Sequence, residues 1–231
     1  MLELALIDQI RIIAAIVMLG IATASDIKNR EISDIIWVVF GGIAVVLIVL
    51  SSSPFDELIN VGIAMIIAPA ALIIWRFGLF GGADAFALIV LAALTPNTTL
   101  TEHIVTPFTV LTNAVIFSIT PMIANVLRNS ILLARRKNIF EGFEETNTRK
   151  IIAMFIGYRA ANPKFGFSIE QKAGGHKKLD LSLHHAENAE FCDKSDTWIT
   201  PGVPYMVFIL AGFIVQLLYG DVILNSFGFI K

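Results

Sequence analysis

The sequence predicts a polytopic α-helical membrane protein with six transmembrane helices and a small cytoplasmic antiparallel β-rich domain. Three observations predict it. Hydrophobic residues make up 56% of the 231-residue chain and charged residues 16%, at a mean hydropathy of +0.76, whereas soluble domains carry about 25% charged residues. The apolar residues gather in blocks near the roughly 20 residues that a helix needs to cross a bilayer. The Lys and Arg residues fall on one side of the spans that these blocks define.

Six spans follow in order: Ile12–Ser25, Ile35–Leu50, Leu58–Trp75, Ala83–Leu94, Ile104–Leu127 and Val203–Tyr219. The first begins near Leu4, with Asp8 and Arg11 at an interface. Glu3 and Asp8 precede it where a secretory signal would carry positive charge, so it reads as a permanent anchor. The fourth is short, and either continues through Thr95–Thr101 or lies where the bilayer thins. The final run, Val222–Ile230, is too short to cross and reads as a surface segment.

Orientation follows from charge. Of 17 Lys and Arg, Lys28, Arg30, Arg76 and twelve between Arg128 and Lys194 lie in one set of connections. The opposite set, Ser51–Glu57, Thr95–His103 and Asp221–Phe229, holds none. Positive charge favours the cytoplasmic side, so both termini face outside and the long fifth connection is cytoplasmic. The chain then divides into residues 1–134 with helices one to five, a β-rich domain at 135–200, and 201–231 with helix six. Within the middle segment Ile151–Tyr158 is apolar and β-rich, and Phe165, Phe167 and Ile169 alternate, as do Leu179, Leu181 and Leu183. Turn signals stand at Asn162-Pro163 and Gly174-Gly175.

A net charge of −2 gives no footing for nucleic acid, and one cysteine, Cys192, excludes an intramolecular disulfide and a four-cysteine zinc site. His176, His184, His185 and Cys192 are close in sequence. Strand alternation puts His184 and His185 on opposite faces, so no metal is assigned.

Ionisable residues at the membrane are costly and mark function. Asp26 follows the cytoplasmic end of span one, and Asp84 opens span four on the same side, in Gly81-Gly82-Ala83-Asp84. Two carboxylates remote in sequence thus share one depth. Taken singly, Asp84 reads as a helix N-cap and Asp26 as a loop residue neutralised by Lys28 or Arg30. Asp34, at the start of span two, is a rival carboxylate that also suits an N-cap. The glycines allow close backbone approach and unusual conformations.

An acid at the end of span one with Lys28 two residues on, joined to a Gly-Gly-Ala-Asp helix start, resembles the GxGD class of membrane aspartyl peptidases. Within it the chain is similar to the archaeal prepilin peptidases of the preflagellin (prearchaellin) type. Asp26 matches the first catalytic position and Asp84 the second, while Ala83 stands where the strict pattern has glycine. The resemblance implies a preflagellin- or prepilin-like precursor as partner, with a short basic leader and a glycine before the cut, and requires no cofactor. Bacterial relatives that also methylate carry cysteine pairs, which this chain lacks.

Two neighbouring carboxyls titrate apart, so one can take a proton from water while the other polarises the scissile carbonyl. A substrate must be extended to be cut. Pro201-Gly202-Val203-Pro204, before span six, is a candidate edge for pairing with it or a plain helix-start turn. Glu141, Glu144 and Glu145 are candidate contacts for a basic leader. The rival function is an ion- or proton-coupled transporter, which would place its acids near the midplane of broken helices and show internal repeats; no repeat is visible.

Overall fold

The computed structural model describes residues 6–97, 106–173, 176–182, 190–222 and 226. The turn signal at Gly174-Gly175, the histidines His184 and His185, Leu183 and most of Val222–Ile230 lie outside these. The chain forms two units, residues 1–117 with 204–231, and residues 118–203.

The first unit contains α1 (Leu6–Asn29), α2 (Ile35–Val49), α3 (Pro54–Ala64), α4 (Ile67–Arg76), α5 (Gly82–Leu94), α6 (Thr106–Phe117) and, after the second unit, α9 (Met206–Tyr219). The second contains α7 (Ile119–Ala134), α8 (Asn147–Ile156) and five short strands. Among the described residues, three stretches are long and apolar enough to cross a membrane: Leu6–Asn29, Pro54–Arg76 and Thr106–Ala134. α2, α5 and α9 are shorter apolar helices.

Two of the three long stretches are interrupted, each for the same reason. Proline lacks an N–H and its ring clashes with the carbonyl four residues upstream. Pro69 acts on Met65, where α3 gives way to α4 and Ala68 N–H turns instead to Met65 O at 2.9 Å. Pro121 acts on Phe117, the last residue of α6.

The core of the first unit joins Ala15, Met18, Leu19 and Ala22 of α1 to Leu88 and Leu91 of α5 and Met206, Ile209 and Phe213 of α9. α9 packs most closely on α6. A Cβ at Gly212 would stand 2.6 Å from Val110 O and 3.0 Å from Ala114 N, so this crossing needs a glycine. Arg11, expected at a membrane interface, is 1% exposed within the protein: Glu57 of α3 pairs with it at 3.1 Å, and it donates to Leu94 O at 3.5 Å.

In the second unit, β1 (Tyr158–Ala160), β5 (Thr197–Pro201) and β2 (Gly166–Ser168) form an antiparallel sheet in the order β1-β5-β2, and β3 (Glu170–Ala173) pairs with β4 (His176–Leu179). The antiparallel character agrees with the sequence, but Ile151–Tyr158 is corrected. Its residues to Ile156 belong to α8, and only Tyr158 enters a strand. Thr146 caps this helix by accepting from Arg149 N–H at 3.4 Å, and the Glu145–Arg149 pair spans its first turn at 2.7 Å. These start signals outweigh the β-branched run that suggested a strand. The core here is Ile139, Phe143, Ala153, Ile169, Leu179 and Trp198, with Trp198 Nε1 donating to Ile139 O at 2.7 Å and Phe140 stacked on the indole.

Candidate active site

Asp26 lies three residues before the end of α1, and Asp84 lies in the first turn of α5. The approach to α5 is set by a glycine-terminated turn. Gly78 has φ +71°, its N–H donates to Trp75 O at 2.8 Å, and Leu79 N–H donates to Ile74 O at 3.2 Å. This pattern closes α4 with the left-handed residue that glycine supplies. Gly81, by contrast, has φ −78° and ψ 163°, and a Cβ there would meet Asp84 Oδ2 at an ordinary 3.5 Å. The conformational freedom expected of the motif glycines is therefore exercised three residues earlier, at Gly78, and not at Gly81. Gly82 is buried, and Ala83 is half-buried.

Each aspartate is held by a backbone N–H at the start of a helix. Gly81 N–H donates to Asp84 Oδ2 at 3.0 Å, so Asp84 reaches back to cap its own helix. Met206 N–H, the first of α9, donates to Asp26 Oδ2 at 3.3 Å. Tyr205, the residue before it, offers no side-chain cap, so Asp26 serves α9 as a cap supplied from another helix. Helix starts carry free N–H groups and partial positive charge, which suit a carboxylate. Asp84 is 6% exposed, Asp26 is half-buried, and the two interact electrostatically. Arg30, left-handed at φ +59°, ends the helix beyond Asp26 and also acts on it electrostatically.

Aromatic rings lie beside both donors. Phe80 precedes Gly81 and Tyr205 precedes Met206, and their ring centroids are 5.6 Å apart. Tyr205 also meets Phe208 edge-on at 5.6 Å. The residues preceding the two donor peptides are thus tied to each other.

The remaining sequence candidates are placed as follows. Lys28 is exposed, and two residues beyond Asp26 on a helix it lies on nearly the opposite face. Asp34 occupies the N-cap of α2 by position but makes no side-chain cap bond, and it is exposed. Pro201 ends β5 opposite Gly166, and Gly202 N–H donates to Phe165 O at 2.7 Å. That edge is already paired on the β2 side, so the prolines there do not leave it free. Pro204 O accepts from Val207 N–H at 3.1 Å, as in a helix-start turn, and Val203 lies between the two. Glu145 is also committed internally: it accepts from Arg149 and, at 2.7 Å, from Leu179 N–H. Cys192 is unpaired, and among the described residues no cluster of three His, Cys, Asp or Glu could hold a metal.

Two contributors were missed from sequence, Met206 and Thr23. Thr23 Oγ1 donates to Met206 O at 3.2 Å, one helical turn from Asp26 on the same face of α1. The donor at Met206 is backbone, so no side-chain pattern announces it. The spacing of Thr23 and Asp26 was the available signal.

The comparisons with known proteins bear on the same residues. The model of the type IV leader peptidase family matches residues 13–123, which include both aspartates, and that of the archaeal peptidase A24 C-terminus, type II, matches residues 119–222. The chain is 25% identical to a preflagellin peptidase of Methanocaldococcus jannaschii, across 95% of this chain and 97% of that one. It is 26% identical to the preflagellin peptidase of Methanococcus maripaludis, across 89% and 93% respectively. For that of Methanococcus voltae the figures are 27%, 91% and 96%. Matched by the two models in succession from residue 13 to residue 222, the chain belongs to the type IV leader peptidase family.

Proposed function

We propose that the protein is a membrane aspartyl endopeptidase that removes the short basic leader from preflagellin- or prepilin-like precursors, using Asp26 and Asp84 as its dyad. The observation that carries this reading is that two carboxyls, from α1 and α5, are each anchored by a helix-start N–H and lie near enough for Asp26 to act electrostatically on Asp84. The names of its relatives point to the substrate class.

The chemistry needs one proton shared by the pair. The ionised carboxylate takes a proton from a water molecule as its oxygen attacks the scissile carbonyl carbon. The protonated carboxyl gives its proton to the carbonyl oxygen, leaving a neutral gem-diol and a dyad with its roles exchanged. Collapse re-forms the carbonyl and breaks the C–N bond. One diol hydroxyl returns its proton to the carboxylate, and the leaving nitrogen takes the proton from the other carboxyl. The pair ends as it began.

The six-span arrangement belongs to the same proposal, with α2, α5 and α9 joining the three longer stretches, both termini outside and the dyad near the cytoplasmic face. So does the division into 1–134, 135–200 and 201–231. Both aspartates stand at helix ends and not in the middle of a broken helix, which favours the peptidase over a transporter. The test is cleavage of a pilin-like precursor in membranes. Asp26→Asn and Asp84→Asn, which keep shape and remove the titrating group, are expected to be folded and inactive while Asp34→Asn still cuts. Normal cleavage by either of the first two would overturn the dyad.

A further inference from the structure

We propose that Thr23 is a positioning residue for Asp26, acting through the first peptide of α9; this rests on the dyad reading above. Met206 is fully buried and its backbone is held at both ends by one face of α1. Its carbonyl accepts from Thr23 Oγ1 at 3.2 Å, and its N–H donates to Asp26 Oδ2 at 3.3 Å.

A threonine inside a helix ordinarily donates to a carbonyl in its own preceding turn. Here the hydroxyl reaches a neighbouring helix, and it does so at the residue whose N–H meets the carboxylate. Met206 O has an obligation within α9 as well, so the threonine bond is additional to helix formation and sets where α9 begins relative to α1. At 3.3 Å the bond from Met206 to Asp26 is at the long end of the N–H···O range. A small retreat of α9 would break it. Asp26 would then lose this backbone donor and the orientation that the donor imposes.

Thr23 is 92% buried by its 8% exposure, and its face of α1 is directed into the protein, where Ala22 and Leu19 are also fully buried. The hydroxyl of Thr23 bonds to Met206 O and acts on the carboxyl through that peptide, so its effect is expected on turnover and not on substrate capture.

The experiment compares Thr23→Val, which keeps the shape and removes the hydroxyl, with Thr23→Ser, which keeps the hydroxyl. Both are assayed on a precursor in the full-length enzyme, alongside Asp26→Asn. Loss of one hydrogen bond of ordinary strength predicts a kcat about five- to tenfold lower for Thr23→Val, with KM unchanged and Thr23→Ser close to wild type. Three results overturn the proposal: wild-type kcat in Thr23→Val, equal loss in both variants (sensitivity to any change of side-chain shape, not to the hydroxyl), or a change confined to KM. An active Asp26→Asn removes the dyad itself and this proposal with it. An inactive Asp26→Asn beside a normal Thr23→Val removes this proposal alone.

Discussion

The two ends of α1 each bring a charged residue into an apolar helical unit, and they do so to opposite effect. Arg11 and Asp26 are fifteen residues apart, about 22 Å along the helix. Antiparallel α5 answers both, its last residue Leu94 offering a carbonyl to Arg11 and its first turn offering Asp84 to Asp26. Each charge therefore meets the end of α5 whose dipole suits it. The partners differ. Arg11 has an opposite charge, Glu57, and the pair is neutral, although Arg11 Nε and Nη2 find no hydrogen-bond partner among the described residues. Asp26 has a second carboxyl acting on it, and under the proposed mechanism the two share one proton, with neutral N–H groups as their backbone support. Opposite charges set together make a strut, and like charges set together are what the proposed dyad needs to exchange protons.

Exchanging the perturbation between the ends should separate activity from stability. At the aspartate end, Asp84→Asn is expected to lower cleavage by about a thousandfold while thermal unfolding in detergent changes little. At the arginine end, Glu57→Gln leaves a buried cation without its counter-charge. The expected cost is about 3 kcal/mol of stability, reduced from the largest values because Glu57 retains some solvent access. Turnover per folded molecule should stay near wild type. If Glu57→Gln is as stable as wild type but slow, the strut belongs to the active site and the contrast between the ends fails.

Legibility from sequence divides along the same line. Asp26 and Asp84 were readable because a carboxylate at a span end and a Gly-Gly-Ala-Asp helix start are local patterns. The opposite directions of their two spans, read from the charge pattern, were what predicted a common depth for them. The Arg11–Glu57 pair was not, because pairing requires knowing that the start of α3 comes within reach of α1, and hydropathy placed Arg11 at the nearest boundary. The prolines at 69 and 121 were visible, yet the breaks they impose four residues earlier were absorbed into continuous spans. In the second unit, α8 was mistaken for a strand because isoleucine content spoke louder than the Thr146 cap and the Glu145–Arg149 pair.

The start of α5 sharpens the comparison within the aspartate end. The motif draws attention to Gly81, but the backbone requires glycine at Gly78. Gly78→Ala forces an L-residue into the left-handed region, at a cost of about 1–2 kcal/mol, and should displace the turn that delivers Asp84. Gly81→Ala adds a methyl group in ordinary contact with the carboxylate, and its stability should fall by less. Paired unfolding midpoints in detergent measure the difference. A larger loss at Gly81 would mean that contact with the carboxylate, and not backbone conformation, is what the glycine serves.

The smallest effect comes from an exposed ion pair, the counterpart of the buried strut. In the second unit Arg159 grips Asp196 with two hydrogen bonds, Nε to Oδ1 at 2.7 Å and Nη2 to Oδ2 at 2.6 Å. The hydrogen bond from Arg159 holds the Asp196 carboxyl below its ordinary value of 3.8, and that carboxyl raises Arg159 in return. A carboxylate with a lowered folded value stabilises the protein above its unfolded value, and that contribution is lost as pH falls through the lowered one. Asp196 has φ +52°, a conformation asparagine tolerates, so Asp196→Asn removes charge without straining the backbone. The Tm difference between wild type and Asp196→Asn should be small and constant near neutral pH. It should close as pH drops below about 3.8 and narrow with added salt, because water and ions screen this pair as they do not screen Arg11 and Glu57. A difference that survives in strong acid would assign the contribution to backbone geometry at residue 196, and the contrast between buried and exposed pairs would then rest on Arg11 alone.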